Sequence, residues 1–265
     1  MDLVHVLVLA IVQGVTEFIP VSSSAHLVLA PVLLGWPDQG LSFDVALHLG
    51  SLFAIFSYFR RDIVNMAGAW ADSIRHRRLS TDGRLAWAVL LGTIPVGLAG
   101  LLFGSLIAHY LRSPVILAWS MIIFGIILAW ADARPHAERT VEQMTWRDVA
   151  WIALAQAIAL IPGTSRSGIT LTAGLFVGLS RQAAARFSFL LAIPVIVLAS
   201  LLQLKELTES PEVIDWAALA VGTVASAIAS YLCIKLFLAF IQRIGVMPFV
   251  IYRIVLGVIL LITFS

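Results

Sequence analysis

Six apolar stretches, at about 43–59, 85–111, 114–131, 187–204, 216–237 and 248–264, are each long enough to cross a bilayer as a helix, which takes about 17–25 residues. Two more apolar regions, 3–35 and 149–180, are broken near their middles by proline, glycine and serine. Irregular backbone at membrane depth persists only where it is buried in protein or lines a cavity. The pattern therefore predicts six transmembrane helices and two re-entrant helical hairpins, each entering and leaving on one face. The expected fold is an all-α integral membrane protein, a single membrane domain over 1–265.

The two broken regions also divide the chain into similar halves, about 1–132 and about 149–265. Phe18–Ile19–Pro20 followed by Ser22–Ser23 is echoed by Leu160–Ile161–Pro162 followed by Thr164–Ser165, and Gly92–Thr93 by Gly222–Thr223. Each half holds one hairpin and three spans. Three is odd, so the second half should be inverted relative to the first, an inverted-topology repeat with broken helices meeting near the midplane.

Composition agrees: 60% of the residues are hydrophobic and only 12% charged, against about 25% charged in soluble domains. The net charge of +2 follows topology and does not suggest nucleic acid. With six crossings, thirteen of the 17 lysines and arginines fall on one side: Arg60, Arg61, Arg75, Arg77, Arg78, Arg84, Arg134, Arg139, Arg147, Arg181, Arg186, Lys235 and Arg243. Arg112 and Lys205 fall on the other, with Glu206, Glu209, Glu212 and Asp215. The positive-inside rule makes the basic side cytoplasmic and puts both termini outside.

Two polar clusters sit in the breaks, Gln13 to His26 and Ile161 to Gly168. An ionised side chain at bilayer depth costs about 2.5–3.5 kcal/mol on insertion scales, so a carboxylate, an imidazole and a guanidinium there indicate a site. Gln13 and Glu17, four apart, share a helix face, and Ser23 and His26, three apart, can share another. Gly163 and Gly168 permit tight backbone, and Thr164 or Ser165 can cap the following helix. A helix N-terminus and the planar fork of Arg166 both suit a phosphate. Glu17, Ser23, His26 and Arg166 are the candidate catalytic residues, and Gln13, Ser22, Ser24, Gly163, Thr164, Ser165, Ser167, Gly168 and Thr170 the candidate substrate-binding ones. Asp44 and His48 share a face near a span end and carry a weaker signal, and Arg253 is expected to snorkel toward lipid headgroups.

The chain resembles the undecaprenyl-diphosphate phosphatase family, the integral membrane type associated with bacitracin resistance. The resemblance rests on Gln13–Gly14–Val15–Thr16–Glu17 leading into Pro20, Ser22–Ser23 and His26, and on Pro162 through Gly168. It extends through Phe43 to Ser51, Arg186 to Pro194 and Pro248 to Arg253. The resemblance implies hydrolysis of undecaprenyl diphosphate to undecaprenyl phosphate and inorganic phosphate, recycling the lipid carrier of cell-wall (peptidoglycan) synthesis. It also implies catalytic roles for Glu17, Ser23, His26 and Arg166, and a divalent cation, Mg²⁺ or Ca²⁺, on Glu17. The departure is Gln13, where many members have Glu.

The expected partners are the polyprenyl diphosphate substrate and membrane lipids; a homodimer is left open. The expected location is the bacterial inner membrane, with the site facing the periplasm. Ser23 is read as the nucleophile and His26 as general base and then acid, with Glu17 orienting His26 or holding the metal. His26 as nucleophile and metal-activated water remain open alternatives. A polyprenyl-phosphate flippase or transporter on the same repeat is the rival function.

Overall fold

The computed structural model describes residues 2–111, 113–134, 138–208 and 215–264. Arg112, Glu209 and Glu212, which entered the charge count, lie outside them, as does the side chain of Glu206. The described chain is helical, with one isolated bridge between Arg139 and Leu179. Its helices are α1 Leu3–Thr16, α2 Ser23–Leu34, α3 Leu41–Tyr58, α4 Arg60–His76, α5 Thr81–Tyr110, α6 Pro114–Ala133, α7 Trp146–Ile158, α8 Arg166–Phe176, α9 Arg181–Thr208, α10 Trp216–Ile244 and α11 Met247–Phe264.

Six of these, α3, α5, α6, α9, α10 and α11, are long and apolar enough to cross a membrane, and the chain is a multi-pass membrane protein. They match the six predicted stretches but run further at several ends. α9 starts at Arg181, where Ser180 Oγ accepts from the Ala183 N–H, and α5 starts at Thr81, capped by Ser80. Hydrophobicity stops at the first charge, whereas a helix continues until its cap.

The arginine-bearing segment after the first span, outside the six predicted apolar stretches, is the amphipathic helix α4. It packs on α5 through buried Met66, and Trp87 Nε1 donates to Ser73 Oγ. Its arginines kept it out of a reading based on apolar runs. The sequence carries instead a 3.6-residue period.

α3 lies along α10, α6 along α11, α1 on α10, α7 on α5, and α9 against α3, α5 and α8. Small residues allow the α3–α10 approach: a Cβ on Gly50 would stand 2.4 Å from the Thr223 carbonyl. Ser226 donates to the Leu47 carbonyl and Ser230 to Ser51 along the same seam. Polar side chains satisfied across a helix pair are a usual means of association in lipid.

One end of the bundle gathers the basic loops. Arg186 pairs with Asp62 and Glu142, Arg181 with Asp132, and Arg139 with Asp148. Arg84 donates to the Met144 carbonyl. The open ends of α7 and α8 reach this end, because Arg139 N–H donates to the Gly178 carbonyl and Ser180 N–H to that of Arg139. The open ends of α1 and α2 meet elsewhere, near the start of α3, where His5 stacks on Trp36 and Gln39 bonds both Leu27 and Asp44.

Candidate active site

Each polar cluster forms the turn of a broken helix pair, α1–α2 and α7–α8. In the first, α1 ends at Thr16 and α2 starts at Ser23, with Ser22 at φ 75°. In the second, α8 starts at Arg166 after Ser165 at φ 71°. Non-glycine residues hold such angles only where the surroundings enforce them, typically at functional sites. The two serines therefore mark equivalent corners, one residue away from the alignment that the proline echo suggested.

The turns touch. Ser167 Oγ donates to the Ile19 carbonyl at 2.9 Å, and Arg166 Nη2 to Glu17 Oε1 at 3.2 Å. Gly163, at φ 87°, must be glycine, because a Cβ there would stand 2.5 Å from the Leu117 carbonyl.

Glu17 is 8% exposed and lies at the centre. Its Oε2 accepts from Ser23 Oγ at 2.6 Å and from Gln13 Nε2 at 3.1 Å. His48 Nε2 lies 3.8 Å from the same oxygen, while His48 Nδ1 is 2.8 Å from the Asp44 carbonyl. Arg166 is braced from behind: Nη1 donates to the Ser188 carbonyl, and Thr170 Oγ1 is bonded to Ser188 Oγ and to the Arg166 carbonyl.

These groups border a cavity of about 190 Å³ lined by Glu17, Ser22, Ser23, Ser24, His48, Gly163, Ser165, Arg166 and Ser167, with Val195, Ile196 and Ala199 of α9 as its apolar wall. His26, Gln13, Thr164, Gly168 and Thr170 do not line it. Gln13 is completely buried behind Glu17, and Thr170 sits behind Arg166. The Gly168 N–H donates to Ser165 Oγ, capping α8. α2, by contrast, has no side-chain cap, so its leading N–H groups are free to face an anion.

His26 is not on Ser23. Its Nδ1 lies 2.7 Å from the Ser22 carbonyl and its Nε2 2.6 Å from the Tyr252 hydroxyl. In the neutral ring, Nδ1–H donates to the carbonyl and Nε2 accepts from Tyr252.

Sequence reasoning underweighted His48 and passed over Tyr252 and Ser188. For His48 the signal was present in its i, i+4 spacing from Asp44. Tyr252 had none beyond its place in a resembling segment. Arg253 corrects an expectation: it does not snorkel to headgroups but is 0% exposed, with its guanidinium between α6 and the two turns. The exposed α11 positions Ile251, Val255, Val258 and Ile262 lie on its other faces; Arg253 shares the inner face with Val250, Gly257 and Leu260.

The sequence model of the bacitracin resistance protein BacA matches residues 6–259. The chain is 56% identical to undecaprenyl-diphosphatase 2 of Stutzerimonas stutzeri, covering 100% of this chain and 99% of the relative. It is also 56% identical to the undecaprenyl-diphosphatase of Nitrosococcus oceani, with both chains covered completely. To the undecaprenyl-diphosphatase of Chromohalobacter salexigens it is 51% identical over 99% of each chain. With two polar turns joined through Glu17 and Arg166 and a match over nearly its whole length, the chain belongs to the bacitracin resistance protein BacA family.

Proposed function

We propose that this protein hydrolyses undecaprenyl diphosphate to undecaprenyl phosphate and inorganic phosphate. The observation that carries the reading is the carboxylate of Glu17, which holds the Ser23 hydroxyl at 2.6 Å and pairs with Arg166 at 3.2 Å on the wall of a small cavity. Relatives named for this activity support it. None of the names given above is that of a transporter.

Ser23 Oγ attacks the terminal phosphorus while Glu17 takes its proton. The bond from phosphorus to the bridging oxygen breaks, and undecaprenyl phosphate leaves. Arg166 and the uncapped N–H groups of α2 bind the oxygens over which charge spreads. Water then attacks the phosphoserine, Ser23 departs and regains its proton from Glu17, and inorganic phosphate is released. His26, held by Ser22 and Tyr252, is turned away from Ser23, and His48 stands beside the carboxylate.

A divalent cation suits the donor set. Gln13 Oε1 is buried beside Glu17 with no hydrogen-bond partner, and among the described residues no three His, Cys, Asp or Glu side chains cluster. One carboxylate and the oxygens of a diphosphate make the lean shell in which Mg²⁺ is commonly held. Glu17 would hold it, with Gln13 behind the carboxylate, and when bound it would neutralise diphosphate charge.

The open ends of the two helix pairs lie at different places and their turns meet, which supports the re-entrant reading. The packing of α1 on α10 mirrors that of α7 on α5, and α3 on α10 mirrors α9 on α5. That exchange supports the inverted repeat. With the basic end cytoplasmic, we infer that the cavity, lined beyond the two turns by His48 of α3 and by Val195, Ile196 and Ala199 of α9, is reached from the bacterial exterior.

The test is phosphate release from undecaprenyl diphosphate by purified protein in detergent, where no second compartment exists. Release by the parent and its loss in Ser23→Ala support the reading; no release by the parent overturns it.

A further inference from the structure

Arg253 is a full positive charge buried in an apolar helix, and the reaction above gives it no task. Among the described residues no carboxylate pairs with it. Its partners among the described residues are all backbone carbonyls. Nε donates to Met121 at 3.2 Å, and Nη2 lies 3.5 Å from the Ser120 carbonyl, both on α6. Nη1 donates to Pro20 at 3.2 Å and Nη2 to Gly163 at 3.0 Å.

Those last two carbonyls belong to the two turns. Pro20 precedes Ser23 by three residues, and Gly163 precedes Arg166 by three. One rigid planar group therefore spans the gap between the segment that presents the hydroxyl and the segment that presents the guanidinium. Its other arm fastens both to α6. Neither turn has regular helix hydrogen bonding there, so its carbonyls need donors that lipid cannot supply. Arginine provides several donors in a fixed fork, whereas lysine offers a point charge on a flexible stem.

We infer that Arg253 is a positioning residue: it fixes the separation of the two turns and so the register of Ser23 and Glu17 against Arg166. The brace itself rests on geometry alone. Its effect on turnover rests on the function proposed above.

The experiment has two arms, run on the full-length protein in detergent. In the first, kcat and KM for undecaprenyl diphosphate are measured for the parent, Arg253→Met and Arg253→Lys. A misplacement of about 1 Å between reacting groups can cost about 100-fold in rate. Arg253→Met should therefore lose about 100-fold in kcat with KM within about threefold, and Arg253→Lys should recover part of the loss.

In the second arm, cysteines replace exposed Val28 on α2 and Ile158 on α7 in a Cys233→Ala background, and pulsed spin-label spectroscopy reads their separation. The parent should give a narrow distance distribution and Arg253→Met a broad or displaced one. If Arg253→Met does not fold, Arg253→Lys carries both readouts, with lowered kcat and a broadened distribution expected. Parent-like kcat in the folded variant overturns the inference, and so does lost turnover with an unchanged distribution. If the parent itself releases no phosphate, the functional reading fails while the distance arm still decides whether Arg253 braces the turns.

Discussion

Ser23 Oγ lies 2.6 Å from Glu17 Oε2, although the two residues sit on opposite sides of a helix break. The carboxylate and not the nearby imidazole is thus the hydroxyl's partner. The bond joins the residue just past α1 to the first residue of α2. It depends on the positive φ of Ser22, which turns the chain back on itself between them.

Glu17→Gln should therefore lower kcat by about 100- to 10,000-fold, the usual range for a general base. Gln13→Ala should lose far less, because Gln13 touches the cavity only through Glu17. Gln13→Glu should stay active and respond to lower Mg²⁺ or Ca²⁺ concentration, since two close carboxylates repel unless a cation lies between them. Initial rates against metal concentration for these variants test the assignment. A Gln13→Ala defect larger than that of Glu17→Gln would reverse it.

Arg166→Lys should lose most turnover despite keeping its charge. One arm of the guanidinium binds Glu17 and the other the Ser188 carbonyl, and an ammonium cannot reproduce that fork. The loss should appear mainly in kcat if the contact tightens in the transition state. Near-parent turnover would reduce Arg166 to a structural partner of Glu17.

Gly163→Ala should destabilise the protein by about 2 kcal/mol or more, combining a strained positive φ with a clash against the Leu117 carbonyl. Thermal unfolding in detergent measures it. A melting temperature equal to that of the parent would show that the turn has room to shift.

Asp72 on α4 and Asp38 before α3 are both exposed, and the proposed orientation puts them on opposite sides of the membrane. Single cysteines at these positions in a Cys233→Ala background, treated in intact cells with an impermeant thiol reagent, should label at 38 and not at 72. The reverse pattern would invert the orientation and close the cavity to the exterior.

The amino-acid sequence by itself determined the six long helices, the two breaks and the identity of the central polar residues. The physical reason is that charge and unpaired backbone are expensive in hydrocarbon, so departures from an apolar background stand out without a structure. Gln13 next to Glu17 was legible for a local reason, helical spacing over four residues. Tertiary structure alone decided the pairings. Glu17 and Arg166 are 149 residues apart, and spacing along one helix says nothing of such a contact. Ser23 and His26 share a helix, yet the His26 ring bonds back to the Ser22 carbonyl and outward to Tyr252, 226 residues away. Arg253 could be read as an arginine in an apolar helix, but whether it faces lipid or protein depends on which side of α11 packs against α6. That packing puts the guanidinium inward, where carbonyls of α6 and of two distant turns satisfy it.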